Sequence, residues 1–102
     1  MIHPSIQPYL PQVIELLKKH KIKNAYFFGS VLSEQFSPTS DVDFLVNLQE
    51  GLDPVDAGEH LWNLEDELRN LLNRNIDLLT ERSLKNPYFI YQLNKTRFSI
   101  YG

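Results

Sequence analysis

Asp41 and Asp43 stand two residues apart in the run Ser40-Asp41-Val42-Asp43-Phe44. In a strand, residues i and i+2 leave the same face, so this spacing projects both carboxylates together. Held close in a dry site they repel each other, and a shared cation relieves the cost. Magnesium suits such a pair because it takes hard oxygen ligands, one or two carboxylates completed by substrate phosphates. Two such ions about 4 Å apart can stabilise both the attacking and the leaving oxygen of a phosphoryl-type displacement. Taken alone, an Asp-x-Asp is more often a strand edge facing water.

Asp77 is the next candidate, set between Ile76 and Leu78 in an apolar run where an unpaired carboxylate is costly. If its strand neighbours that of Asp43, it can join the pair as a third ligand or accept a proton from an attacking hydroxyl. A solvent-facing Asp on an edge strand is an equal alternative. Gly29-Ser30 closes the apolar run Ala25-Tyr26-Phe27-Phe28 and opens a predicted helix. Glycine permits close approach of backbone to a ligand, helix-start amides bind phosphate, and Ser30 adds a hydroxyl donor. Most such Gly-Ser pairs are simply turns and caps.

The elements that must position these residues can be read from pattern. Ile6, Leu10, Val13, Ile14, Leu16 and Leu17 predict a first helix over about 5–20. Ala25–Phe28 reads as a buried strand. Ser30 is placed to cap a short helix through about Gln35, and Ser37–Ser40 reads as a loop. Val42, Phe44 and Val46 alternate with Asp41, Asp43 and Leu45, a second strand with one partly polar face. Asp53-Pro54 is a helix start, with a long helix following to about Asn73. Asn75–Leu79 reads as a third strand, 87–95 as a last helix and Phe98–Tyr101 as an extended tail. The alternation predicts an α/β fold of the α+β kind, a small mixed sheet with helices packed against it.

At 102 residues and 42% apolar composition, the chain is expected to form one folded domain over 1–102. The absence of cysteine excludes disulfides, thiolate metal sites and a cysteine nucleophile. No signal segment is visible, and no apolar run approaches the ~18 residues of a membrane span, so a cytoplasmic protein without membrane contact is expected. Charge is segregated. Residues 24–68 hold ten acids and no Lys or Arg, while the flanks 1–23 and 69–102 carry +3 and +4. Such a segment repels nucleic acid and suits divalent cations or a basic protein partner. For Glu65, Asp66 and Glu67 a solvated helix face is the plainer reading.

Taken together, Phe27-Phe28-Gly29-Ser30, a ten-residue spacer and Ser40-Asp41-Val42-Asp43-Phe44 resemble the defining motif of the DNA polymerase beta-like nucleotidyltransferase superfamily. Ile76-Asp77-Leu78-Leu79 resembles its separate third carboxylate strand. Over nearly its full length the chain resembles the minimal nucleotidyltransferase (MNT) antitoxins of HEPN/MNT toxin–antitoxin pairs. The resemblance implies a nucleotidyltransferase fold in which Asp41, Asp43 and Asp77 hold two magnesium ions, with Asp77 assisting the acceptor hydroxyl. It implies that Gly29 and Ser30 bind the nucleotide phosphates. The implied function is that of the antitoxin in a type VII-like pair, which transfers AMP from ATP to a tyrosine of a HEPN-domain ribonuclease toxin.

One departure stands out. Relatives usually follow Gly-Ser with Arg-x-Arg-Gly, whereas this chain reads Val31-Leu32-Ser33-Glu34. The bases left to compensate are Arg69, Arg74, Arg82 and Lys85. The missing arginines and the acidic segment support an alternative, a non-catalytic antitoxin that masks a basic ribonuclease. A weaker alternative is a fragment of a small-molecule nucleotidyltransferase working with a separate helical subunit. Trp62 reads as core, His3, His20 and His60 as exposed and unrelated, and Tyr88, Tyr91 and Tyr101 as packing residues.

Overall fold

A computed structural model describes all residues, Met1–Gly102. The chain enters helix α1 (Leu10–Lys19) through a single 3-10 turn at Gln7–Tyr9. Pro8 lies in that turn and Pro11 in the first turn of α1, where no amide is needed for the helix ladder. Strands β1 (Ile22–Phe28) and β2 (Val42–Leu48) follow, then helix α2 (Pro54–Leu72), strand β3 (Ile76–Thr80), helix α3 (Pro87–Thr96) and strand β4 (Phe98–Tyr101). The sheet order is β3-β2-β1-β4. β1 runs antiparallel to β2 and β4, and β2 runs parallel to β3, so the sheet is mixed as expected.

Strand alternation divides the sheet into two faces. Ala25, Phe27, Val42, Phe44, Val46 and Ile76 join Val13 and Leu17 of α1 and Leu64, Leu68 and Leu72 of α2 in the main core. Phe27 and Phe44 meet edge-on there, with ring centroids 4.9 Å apart. The opposite face carries Tyr26, Phe28, Leu45 and Leu79, over which α3 lays Leu93. Arg97 fastens this layer, donating to Glu81 Oε1 at 2.7 Å and covering the Tyr26 ring at 4.2 Å.

The helix ends match their chemistry. Asp53 accepts from the Val55 amide at 3.2 Å, and Pro54 opens α2. Asn73 ends it in the left-handed conformation (φ 53°), which Asn tolerates better than most residues. Asn86 accepts from the Tyr88 and Phe89 amides at the start of α3.

Four expectations are corrected. β1 begins at Ile22 rather than Ala25, because left-handed Lys21 (φ 61°) turns the chain so that Ile22 enters the core. The short helix after Gly29 is a 3-10 turn, Gly29–Leu32, and Ser30 does not cap it. Buried Val31 holds the turn from inside, while Ser33 closes it with its amide and hydroxyl both donating to Ser30 O. Trp62 is 77% exposed rather than core. It follows Leu61 and so sits about 100° round the helix from the Leu61-Leu64-Leu68-Leu72 stripe. Tyr88 and Tyr91 are likewise exposed, because α3 buries Leu93 instead, while Tyr101 is half-buried.

The histidines depart from expectation as well. His20, at the C-cap of α1, is buried, its Nδ1 lying 3.1 Å from His60 Nδ1 on α2. One ring must therefore donate and the other accept. His20 Nε2 lies 3.2 Å from Glu67 Oε1, and Lys19 donates to the same carboxylate at 3.0 Å. The Lys19 hydrogen bond first, and that of His20 after it, holds the Glu67 carboxyl below its usual range. Glu67 thus tethers α1 to α2 rather than facing solvent.

Urea unfolding monitored by circular dichroism tests these assignments. Phe44→Ala should cost about 3–5 kcal/mol of stability, and Asp53→Ala about 1 kcal/mol.

Candidate active site

All the candidate residues lie at one end of the sheet, where β1 ends and β2 and β3 begin. Asp43 is the second residue of β2 and stands directly beside Asp77 of β3 in the parallel register. On its other side it faces Phe28, the residue before Gly29, in the antiparallel register with β1. Asp41 lies one residue ahead of β2 and is exposed. Asp77 is also exposed on its edge strand, as the plainer of the two sequence readings had it, yet it is the register partner of Asp43.

This crowding has an electrostatic signature. The Asp43 carboxyl is pushed up from 3.8 to about 6, first by partial burial and then by the charges of Asp77 and Asp41. The three do not close into a ready-made three-ligand cage. They form an open set of oxygens, the kind that magnesium completes with phosphate and water. A divalent cation there would offset both causes of the Asp43 shift, so the residues present fit the ion.

Gly29 is the second part of the site. Its φ of +76° is one that L side chains rarely adopt, and a Cβ there would collide with Asp43 Oδ2. Glycine is therefore required twice, by conformation and by the approach of the Asp43 carboxylate. Ser30 follows in the 3-10 turn, half-buried, at the mouth of the same region. Beside Gly29 opens a hollow of about 440 Å³ lined by Met1, Leu32, Thr96 and Phe98.

Of the bases named above, Arg74 binds the loop before Asp41 and not a carboxylate. Its Nη1 donates to Ser37 O at 2.6 Å and Ser40 O at 3.1 Å, and its guanidinium covers the Phe36 ring at 4.2 Å. Arg74 thus clamps the loop that ends at Asp41. Sequence spacing gave no sign of this, since the contact spans 34 to 37 residues. Arg69 pairs with Glu65 and Asp66 on its own helix. Arg82 borders the Asn47–Leu52 turn at the far end of β2. Val31, the first residue after the Gly29-Ser30 pair, is fully buried and so belongs to the core.

Two outcomes test this geometry. The raised folded-state value of Asp43 means that the folded chain holds a proton more firmly than the unfolded chain between about pH 4 and 6. Stability therefore falls as pH rises through that window, and the ionised carboxylate is a standing cost above it. Asp43→Asn should stabilise the metal-free chain at pH 7.5 by about 1 kcal/mol, allowing for solvent screening of this half-exposed group, and should be neutral below pH 4. Gly29→Ala should lose about 1–2 kcal/mol of stability in urea unfolding. Adding Asp43→Ala should restore part of that loss, since the colliding oxygen is gone.

Comparison with known proteins agrees with the geometry. Residues 11–102 match the family described as Polymerase beta, Nucleotidyltransferase. A relative from Methanocaldococcus jannaschii named "Putative protein adenylyltransferase MJ1217" is 34% identical over 87 residues, which span 78% of this chain and 85% of that one. Among solved structures, one described as a "putative minimal nucleotidyltransferase" superposes with a TM-score of 0.74 at 26% identity, covering 96% of this chain and 95% of its own. A chain from a crystal structure described as a toxin-antitoxin with AMP-PNP gives a TM-score of 0.71 at 25% identity, covering 91% and 73%. A chain from the complex of a tri-AMPylated Shewanella oneidensis HEPN toxin with an MNT antitoxin gives 0.66 at 24% identity, covering 94% and 71%, and shares the fold. With its Gly-Ser turn and paired carboxylates in place, the chain belongs to the polymerase beta nucleotidyltransferase family and is a nucleotidyltransferase related to the MNT antitoxins.

Proposed function

We propose that this chain is the antitoxin of a type VII-like pair, transferring AMP from ATP to a tyrosine of a HEPN-domain ribonuclease toxin. The observation that carries the reading is the pairing of Asp43 with Asp77, in register and under Gly29. It provides a concentrated negative site with phosphate access and no other evident use in the fold. The relatives described as protein adenylyltransferases, and the toxin complexes with which the chain shares its fold, support the choice of acceptor class.

In this reading Asp41, Asp43 and Asp77 hold magnesium. Bound there, the metal neutralises charge on the phosphates and on the departing pyrophosphate. Gly29 leaves room for the phosphates to approach the backbone, and the Ser30 hydroxyl donates to a phosphate oxygen. Asp77, exposed on the edge strand, takes the proton of the tyrosine hydroxyl. The tyrosine oxygen then forms its bond to the α-phosphorus as the bond to the β-phosphate bridge breaks, and pyrophosphate leaves. Positioning and charge neutralisation supply the rate.

A second reading, masking of a basic toxin without chemistry, is favoured by one observation. Val31 occupies a core position where a phosphate-binding arginine would otherwise stand, and residues 24–68 supply no base in its place.

The two readings separate cleanly. Incubated with ATP and magnesium, the wild-type chain should raise the mass of the toxin by one or more AMP units, as read by intact-mass spectrometry. Asp41→Asn or Asp43→Asn should abolish that increase. An unchanged toxin mass, with the Asp41→Asn/Asp43→Asn chain still protecting cells, would replace transfer by masking.

A further inference from the structure

The outward side of α2 carries a surface that the catalytic end of the sheet does not use. Trp62 is 77% exposed and Val55, seven residues earlier on the same side, is 67% exposed. Between them lies Gly58, one turn before Trp62. Trp62, Gly58, Leu61, Glu65 and Leu78 of edge strand β3 together line a depression of about 340 Å³. A monomer gains nothing by leaving an indole in water, and the indole has no hydrogen-bond partner within the chain.

Gly58 adds a separate observation. Glycine inside a helix costs about 1 kcal/mol relative to alanine. A Cβ placed there would meet nothing within 4 Å, so no internal contact and no left-handed backbone explains the residue. What the missing side chain does create is a notch beside Trp62, open to close approach by another backbone.

Charge selects the occupant. Glu59 lies on this side of α2 without an ion-pair partner, and Glu65 and Asp66, which flank the same face, share the single base Arg69, so the surface is net acidic. A second copy of the chain would set this acidic rim against itself, and nucleic acid would be repelled. A protein surface with lysines or arginines around an apolar knob would be drawn to it and would bury the indole.

From these features we infer that the Val55-Gly58-Trp62 face of α2, with Leu78 beside it, is the docking surface for a basic protein partner. Trp62 is its buried anchor and Gly58 its point of close approach. The partner is the toxin, a step that rests on the function proposed above. The surface lies on the α1 and α2 side of the sheet but reaches edge strand β3 at Leu78, next to Asp77. A toxin held there leaves the nucleotide side open and can bring its tyrosine round that edge.

The test uses the full chain and a purified cognate HEPN-domain toxin, with affinity measured by calorimetry. Trp62→Ala and Gly58→Ala should each weaken the complex at least tenfold. Gly58→Ala should at the same time raise the Tm of the free chain by about 4 °C, since it strengthens the helix. Both variants should keep the wild-type thermal shift with magnesium and ATP. A toxin complex of wild-type affinity in both variants overturns this surface and leaves the function standing. No complex between the wild-type chain and the toxin overturns the function and this surface together. A dimer of the chain alone that Trp62→Ala abolishes also overturns the surface, assigning it to a second copy.

Discussion

Two carboxylates fixed side by side on parallel strands repel each other, and the backbone register between β2 and β3 allows Asp43 and Asp77 no escape. The fold meets this cost with rigid surroundings on every side. Phe28 pairs with Asp43 across the sheet, Gly29 presses its bare Cα toward the carboxylate, and Arg74 ties down the loop leading to Asp41. The cost shows in the raised Asp43 carboxyl, pushed up first by partial burial and then by the charges of Asp77 and Asp41, and a bound cation would relieve it.

The division of labour between the two sheet faces follows from the same strands. On β2, Val42, Phe44 and Val46 are fully buried toward α1 and α2, while Asp43 and Leu45 look the other way. Helix α3 covers Phe28 and Leu45 on that second face, through Phe89 and Leu93, and leaves Asp43 partly and Asp77 largely accessible. A register slip of one residue would bury both aspartates and expose Phe44, so the core and the site fix each other. Core packing and site geometry are thus two readings of one alternation.

Much of this was legible in the sequence because the features are local. The strand alternation around Val42–Val46 and the Asp53-Pro54 start each depend on neighbouring residues, and the structure has them where the pattern placed them. The Asp41-x-Asp43 spacing was legible for the same reason, and Asp77 became meaningful once its strand was set beside β2. What was not legible depends on contacts between distant segments. The Arg74 clamp on Ser37 and Ser40, the His20–His60–Glu67 tether and the burial of Val31 all require knowledge of which elements pack together. Trp62 was misread for a different reason. Its hydrophobicity argued for the core, although its angle on α2 relative to Leu61 and Leu64 already pointed outward.

The central claim, that Asp43 and Asp77 form a strained pair awaiting a cation, can be measured at the carboxyl itself. A pH titration of the Asp43 side-chain carbon by NMR reports the proton directly, with and without saturating magnesium and a non-hydrolysable ATP analogue. The account predicts a midpoint at about 6 in the metal-free chain, moving down by more than about one unit when magnesium and nucleotide bind. Removal of the neighbour by Asp77→Asn should lower the metal-free midpoint as well. An Asp43 midpoint in the ordinary carboxylate range without metal, unmoved by magnesium or by Asp77→Asn, would contradict the claim.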